Sequence, residues 1–185
     1  ANQFPYDTTY PYYLNWKFDA YERGMRINER LEAMNNVTPD SLRLLQSDNL
    51  NMLAQFALPI MLKRIPVEKL SEKQKKVFQI AQKWNLEHEA NSMGTSVFIT
   101  WWREFMKLTW DEFLPESKNL RFPGRDKTLA IMMFDSSSRW FDIAKTQSKE
   151  TLNDVLLQSL ASATDTMYLK YGEPGNAWQW ANVKG

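Results

Sequence analysis

The sequence has no cysteine and only one histidine, His88. The lack of cysteine excludes disulfides, thiolate nucleophiles and cysteine-based zinc sites, and leaves the redox compartment open. A single imidazole cannot form the paired histidine ligands of a zinc site. A Ser-His-Asp triad would have to use His88, and no Gly-x-Ser-x-Gly elbow is present to expose its serine. We therefore expect no metal, no cofactor and no self-contained nucleophile in this chain.

An excess of one charge and long apolar runs are also missing. Lys and Arg number 23 against 22 Asp and Glu, a formal net charge of +1. This balance gives no field that would attract nucleic acid or an anionic membrane. The longest apolar stretches, Phe56 to Leu62 and Leu129 to Phe134, are far shorter than the roughly 20 residues of a membrane-spanning helix. We expect neither a nucleic acid nor a membrane as partner.

The chain does contain enough apolar material for a substantial core, with 43% hydrophobic and 14% aromatic residues among 185. A chain of this size and composition fits one domain. No fixed-period repeat and no Gly/Ser-rich or Pro-rich linker divides it. We predict a single helical domain over residues 1–185, with loosely held ends at 1–16 and 173–185.

Apolar residues recur at helical spacing along most of the chain, and no clean alternating run with a tight hairpin turn is found. This pattern predicts an all-α fold, an irregular orthogonal helix bundle. The short apolar run 129–134 fits either a strand or a helix. The predicted helices cover residues 18–34, 39–47, 49–63, 71–84, 96–108 and 148–171.

Polar residues at the ends of these runs predict where helices begin. Thr38 and Ser71 are predicted N-caps, Ser71 within a capping box. Thr109 is predicted to cap a helix directly after 96–108, and Ser148 to cap the last long helix, which Gly172 ends.

Two local clusters have both a functional and a structural interpretation. Glu87-His88-Glu89 looks like a ligand group, but adjacent helical residues point apart, so a solvated polar face is the favoured interpretation. Trp101-Trp102-Arg103 could stack on bases or sugars, yet aromatic residues at helical spacing more often fill a core. We predict core packing for these tryptophans.

Four stretches, in matching order and spacing, resemble the large subunit of the penicillin acylase family of N-terminal-nucleophile hydrolases. Individually these motifs are short, and their order makes the match specific. They are Asn2-x-x-Pro5 with Tyr10-Pro11 and Arg23-x-x-Arg26-Ile27; Gln46-x-Asp48 with Ala54 and Pro59; Trp84 with Ser96 and Trp101 or Trp102; and Trp140-Phe141-Asp142 with Thr146, Glu150-Thr151, Tyr171-Gly172 and Trp178-x-Trp180.

The resemblance implies a role for two residues. Asn2 matches the family's asparagine, whose side-chain amide would donate to the oxyanion of a tetrahedral intermediate. Arg23 matches the family's arginine, which would orient the site through its fixed fork of donors. The family's nucleophile is a serine at the start of the large subunit, upstream of the asparagine loop. The resemblance therefore implies an internal segment of a larger α+β hydrolase, inactive by itself because that serine is absent.

The same resemblance implies the partners and the location of the parent protein. The partners would be the small subunit, the remainder of the large subunit and an acylated small-molecule amide substrate. Penicillin acylases of this architecture are usually exported, which implies a periplasmic or secreted parent.

The chain departs from the family pattern at two places. Ala181 and Lys184 stand where relatives have Gly and His, and Asn85-Leu86 where they have Asp-Gly. These changes leave open a catalytically degenerate relative of the acylases. A free-standing all-α module that binds a partner protein is the alternative from another class.

Overall fold

The computed structural model describes residues 9–12, 21–113 and 123–184. Within these ranges the chain forms eight α-helices and no strand, which confirms the all-α prediction. None of these helices is long and apolar enough to cross a bilayer. The helices are α1 (Glu22–Glu32), α2 (Pro39–Gln46), α3 (Met52–Lys63), α4 (Glu72–Gln82), α5 (Met93–Thr109), α6 (Arg125–Phe134), α7 (Leu152–Tyr171) and α8 (Trp180–Lys184).

Backbone contacts group the chain into two compact units, Ala1–Met52 and Leu53–Gly185. The prediction of one domain over 1–185 stays a prediction. The first unit contains α1 and α2, whose residues are mostly exposed. Thr38 caps α2 as predicted: its Oγ1 accepts from the Ser41 backbone N at 3.2 Å, and Ser41 Oγ accepts from the Thr38 backbone N at 2.9 Å. This reciprocal pair satisfies two of the backbone donors that a helix start leaves unpaired.

The core of the second unit forms where α5 and α7 pack against each other. Trp101 is fully buried between them, and its indole N donates to Ser159 Oγ at 3.0 Å and to the Leu156 carbonyl at 3.3 Å. Trp102 is buried as well, while Arg103 is exposed. The predicted core role of the two tryptophans is confirmed, and the hydrogen bonds of Trp101 remove the cost of burying its N–H.

The predicted helix starts are partly right. Ser71 and Gln74 form the predicted capping box ahead of α4. The prediction for Ser148 is wrong, because Thr151 caps α7 in a reciprocal pair with Asp154, while Ser148 Oγ donates to Glu150. The prediction for Thr109 is also wrong. Thr109 lies in the last turn of α5, since the next residue, Trp110, still donates its backbone N–H to the Met106 carbonyl. The Thr109 hydroxyl is buried.

The apolar run 129–134, whose sequence fits either a strand or a helix, is helical and forms most of α6. Its Thr128 lies fully buried against the end of α5 and accepts from the Trp110 indole N at 2.8 Å. A strand would not have placed Thr128 and the apolar Leu129 and Met132 on one buried face, because strand side chains alternate between faces.

Gly172 and residues 173–181, the latter within the predicted loosely held end 173–185, make specific contacts in the second unit. Gly172 ends α7 with a φ of 72°, a left-handed conformation that favours glycine. Trp178 is fully buried and donates from its indole N to the Gly172 carbonyl at 3.1 Å. The backbone N of Trp180 donates to the Ser92 carbonyl at 3.1 Å, and that of Ala181 to the Ala90 carbonyl at 2.9 Å.

Candidate functional site

The most developed ionic contact of the first unit joins Arg26 of α1 to Asp48, two residues after the end of α2. Arg26 Nε lies 3.0 Å from Asp48 Oδ1 and 3.1 Å from Oδ2, and Arg26 Nη2 lies 2.8 Å from Oδ2. This is the fork-on-carboxylate arrangement that planar guanidinium groups make best. The pair spans 22 residues of sequence and fixes α1 against the segment that follows α2.

Asp48 has two further donors, and Arg26 has a second acceptor. The Leu50 backbone N donates to Asp48 Oδ1 at 3.3 Å, and Arg30 Nε lies 3.5 Å from Oδ2. Arg26 Nη1 lies 3.0 Å from the Glu29 carboxylate. The carboxylate of Asp48 therefore interacts with three groups, the side chains of Arg26 and Arg30 and the backbone N of Leu50.

This network is shielded from water more than an ordinary surface pair. The side chains of Arg26 and Asp48 are 19% and 13% exposed. The hydrogen bonds from Arg26 lower the pKa of Asp48, and burial opposes this shift more weakly. The bond to Asp48 likewise raises the pKa of Arg26. Both shifts favour the charged form of the group concerned.

Arg23, the predicted site arginine, lies in the first turn of α1, one turn before Arg26. It is exposed, and within the described part of the chain it makes no ion pair or hydrogen bond. Spacings of three and four residues place Arg23, Arg26 and Arg30 along one side of the helix. The carboxylate of Asp48 is held by the second and third of these arginines, which leaves the guanidinium of Arg23 available for another anion or carbonyl oxygen.

Asn2, the other predicted site residue, lies outside the described residues. The structure therefore reports the position of Arg23 alone. Sequence reasoning also missed Arg26 and Asp48 as a pair. Both residues were present in the motifs that carried the family resemblance, and the motifs gave no signal that one binds the other.

His88 lies in the loop between α4 and α5. The predicted solvated polar face is wrong for His88, which is partly buried, whereas Glu89 is exposed. The His88 ring is half-buried between Trp84 and Trp180, with ring centroids 6.1 and 5.8 Å away. Burial lowers the pKa of His88, and the charge of Lys184 lowers it further. The ring packs between the two indoles because the loop turns it inward.

Among the described residues, His88 Nδ1 is buried without a hydrogen-bond partner, and no group of three potential metal ligands is found. Ser92, the nearest candidate nucleophile in sequence, caps α5 instead, with its Oγ accepting from the Thr95 backbone N at 3.2 Å. The loop that contains His88 thus packs against α8 within the second unit.

The motif Trp140, Asp142, Thr146, Glu150 and Thr151 forms a hydrogen-bonded loop ahead of α7. The Glu150 carboxylate, 9% exposed as a residue, accepts from the Ile143 backbone N at 3.1 Å and from Thr146 Oγ1 at 2.8 Å. The bond from Thr146, followed by the bonds from Ile143 and Ser148, outweighs burial and lowers the pKa of Glu150. In turn, Asp142 Oδ1 accepts from the Glu150 backbone N at 3.2 Å. The hydrogen bonds within this loop therefore explain the spacing of these residues in the sequence.

The described part of the chain is an all-α scaffold. Its Arg26–Asp48 network is partly buried, and the neighbouring Arg23 is exposed, so the scaffold presents a cation. The family model for penicillin amidase matches residues 1–185, the whole chain. The chain belongs to the penicillin amidase family, and this membership identifies it with the acylase-like hydrolases. No curated protein matches the chain in a sequence comparison.

Proposed function

We propose that this chain is the helical segment of a penicillin-acylase-like amidohydrolase that cleaves acyl side chains from amides. The family match over residues 1–185 is the observation that carries the proposal. Arg23 supports it, since it is exposed and has no partner among the described residues, so its guanidinium is available to the reacting groups.

In the proposed reaction, a serine outside this chain is the nucleophile. Its hydroxyl oxygen bonds to the amide carbonyl carbon while its own α-amine accepts the hydroxyl proton. The tetrahedral intermediate then expels the amine, which takes that proton, and leaves an acyl ester on the serine. A water molecule attacks the ester by the same route and releases the acid.

Two residues of this chain would act on that intermediate. The side-chain amide of Asn2 would donate a hydrogen bond to the oxyanion, an interaction whose loss costs about 3 kcal/mol of barrier in comparable sites. Arg23 would orient the groups around it. The Arg26–Asp48 network would act through Arg23, by fixing the helix that carries it. The partners of the chain are then the small subunit and the remainder of the large subunit, in a periplasmic or secreted protein.

The experiment that tests these roles uses the complete enzyme. Arg23→Ala should lower kcat about tenfold or more, with the thermal unfolding midpoint unchanged, because Arg23 is exposed and makes no hydrogen bond or ion pair with the described residues. Arg43→Ala is the matched control, since Arg43 is also an exposed helical arginine, 75% exposed, and pairs only with exposed Asp40. Unchanged kinetics for Arg23→Ala would remove Arg23 from the mechanism, whatever the family of the protein.

A catalytically degenerate relative is the second candidate, favoured by the departures at Ala181 and Lys184. Ala181 occupies the position of the family's glycine in α8, and exposed Lys184 that of its histidine. Such a protein would keep the helices, fail to cleave itself into subunits and release no acid. The interaction-module alternative predicts a monodisperse 185-residue chain in light scattering, whereas a segment of a larger enzyme should self-associate through orphaned surfaces.

A further inference from the structure

A cleft of about 370 Å³ lies between α5, α7 and α8 of the second unit. Four cations and one carboxylate, Glu104, are among its lining residues. Cations on the walls of a cleft focus their field into it and raise the local concentration of anions. The lining cations are Arg103 and Lys107 of α5, Lys170 of α7 and Lys184 of α8.

Three of these four cations have no partner within the described ranges. Lys107 Nζ is 2.6 Å from Glu104, so this pair is internally neutralised. Arg103, Lys170 and Lys184 make no ion pair or hydrogen bond to any residue of the described parts. These exposed charges come from three different helices and line one cavity, which gives the cavity a field that attracts anions.

Part of the cleft lining is apolar. Ile99, Trp180 and Val183 line it, each only partly exposed. The Trp180 backbone N bonds the Ser92 carbonyl at 3.1 Å, and its ring packs on His88 with a centroid distance of 5.8 Å. The indole is therefore fixed before any ligand arrives, which lowers the entropy cost of binding.

We propose that this cleft binds a small organic carboxylate with an apolar, preferably aromatic, body. The planar fork of Arg103 suits a carboxylate head, which Lys170 and Lys184 also attract. The body would lie on Trp180 and Val183. A cavity of this volume falls within the roughly 300–1,000 Å³ of small-molecule sites. The proposal concerns the second unit alone and does not rest on hydrolase activity.

The test uses the full 185-residue chain with benzoate as the probe, and benzamide and acetate as its neutral and truncated counterparts. Binding is measured by calorimetry at low salt and by proton NMR. His88 is the only histidine, so its ring protons are resolved, and they report on Trp180 beside them. We expect saturable benzoate binding that shifts the His88 signal, with benzamide and acetate each at least about fivefold weaker.

A charge-matched pair of variants locates the site. Arg103→Gln/Lys170→Gln should weaken benzoate at least about tenfold, whereas Lys145→Gln/Lys149→Gln, which removes two exposed cations outside the cleft, should not. Arg103→Lys should be intermediate, because it keeps the charge and loses the fork. Equal binding of benzamide, an equal loss in the control variant, or no saturable binding by the correctly folded chain would each overturn the proposal.

Discussion

Two nitrogens of Arg26, Nε and Nη2, donate to the carboxylate of Asp48. This pair joins α1, the helix that carries the candidate site residue Arg23, to the segment after α2. Both side chains are less than one-fifth exposed. Partly buried, bidentate pairs of this kind contribute more than exposed pairs, which contribute about 0–1 kcal/mol. The network therefore stabilises the first unit, and under the proposed function it would also orient Arg23 through the helix.

Asp48→Asn should destabilise the chain by about 1–3 kcal/mol, because an amide cannot accept the fork of Arg26 and leaves it shielded without an anion. Urea unfolding measures this loss. Asp40→Asn is the matched control, since the Asp40 side chain is 88% exposed and pairs with Arg43 at 3.6 Å. Equal effects of the two substitutions would contradict the importance assigned to the Arg26–Asp48 pair.

The same pair predicts how stability changes in acid. Because Arg26 lowers the pKa of Asp48 in the folded state, the unfolded chain takes up a proton at Asp48 first as the pH falls. The stabilisation is complete above the unfolded pKa of about 3.9 and is lost as the pH falls through the lower, folded value. Asp48→Asn should therefore show a shallower loss of stability between about pH 5 and 2 than the parent. Parallel profiles would show that Asp48 is not perturbed.

Gly94→Ala should destabilise the second unit by about 1–3 kcal/mol, because a Cβ at position 94 would overlap Cβ and Cγ of Trp84. Those atoms lie at the base of the side chain, and the Trp84 indole N is held by the Glu87 carbonyl at 2.9 Å, so the ring cannot swing away freely. The loss should exceed the gain of about 1 kcal/mol in helix propensity.

Gly175→Ala is the control for this steric argument. Its φ of 177° is accessible to any residue, and a Cβ there would approach only the Glu173 carbonyl, at 3.9 Å. Thermal unfolding of both variants should separate them clearly. A stable Gly94→Ala protein would mean that the α4–α5 loop can shift to admit the methyl group.

Glu150→Gln should lower the midpoint of urea unfolding, because an amide presents one oxygen where Ile143, Thr146 and Ser148 donate to two. Glu150→Ala should lower it further. Glu173→Gln serves as the control, since Glu173 is exposed and its partner Lys76 is exposed as well. If all three variants unfold together, the loop before α7 is not organised by Glu150.

Helices and several of their starts followed from the sequence, because apolar spacing and caps such as Thr38 and Ser71 are local signals. Ser148 was a wrong cap because Thr151 lies three residues later with its own acidic partner, and the pattern alone does not rank two adjacent candidates. The inward turn of His88 could not be read from its polar neighbours, since it depends on Trp180, 92 positions further along.

The candidate site, like the fold, could be predicted from the sequence only in part. Arg23 was found through its place in a family motif, not through any local property, since an exposed helical arginine is ordinary by itself. The Arg26–Asp48 contact was missed because it joins α1 to the segment that follows α2, and no local pattern specifies how these two pack. The cationic cleft was missed for the same reason, since its charges come from three helices.

The central claim, that this chain serves an amide hydrolase, is tested most directly on the complete protein. Release of acid from phenylacetyl and long-chain acyl anilides is measured, together with the masses of the polypeptides. The account predicts two subunits cleaved ahead of a serine, acid release by the whole enzyme, and none by the isolated 185-residue chain. An uncleaved and inert protein would contradict it and favour the degenerate relative, and turnover by the isolated chain would contradict the assignment of the nucleophile.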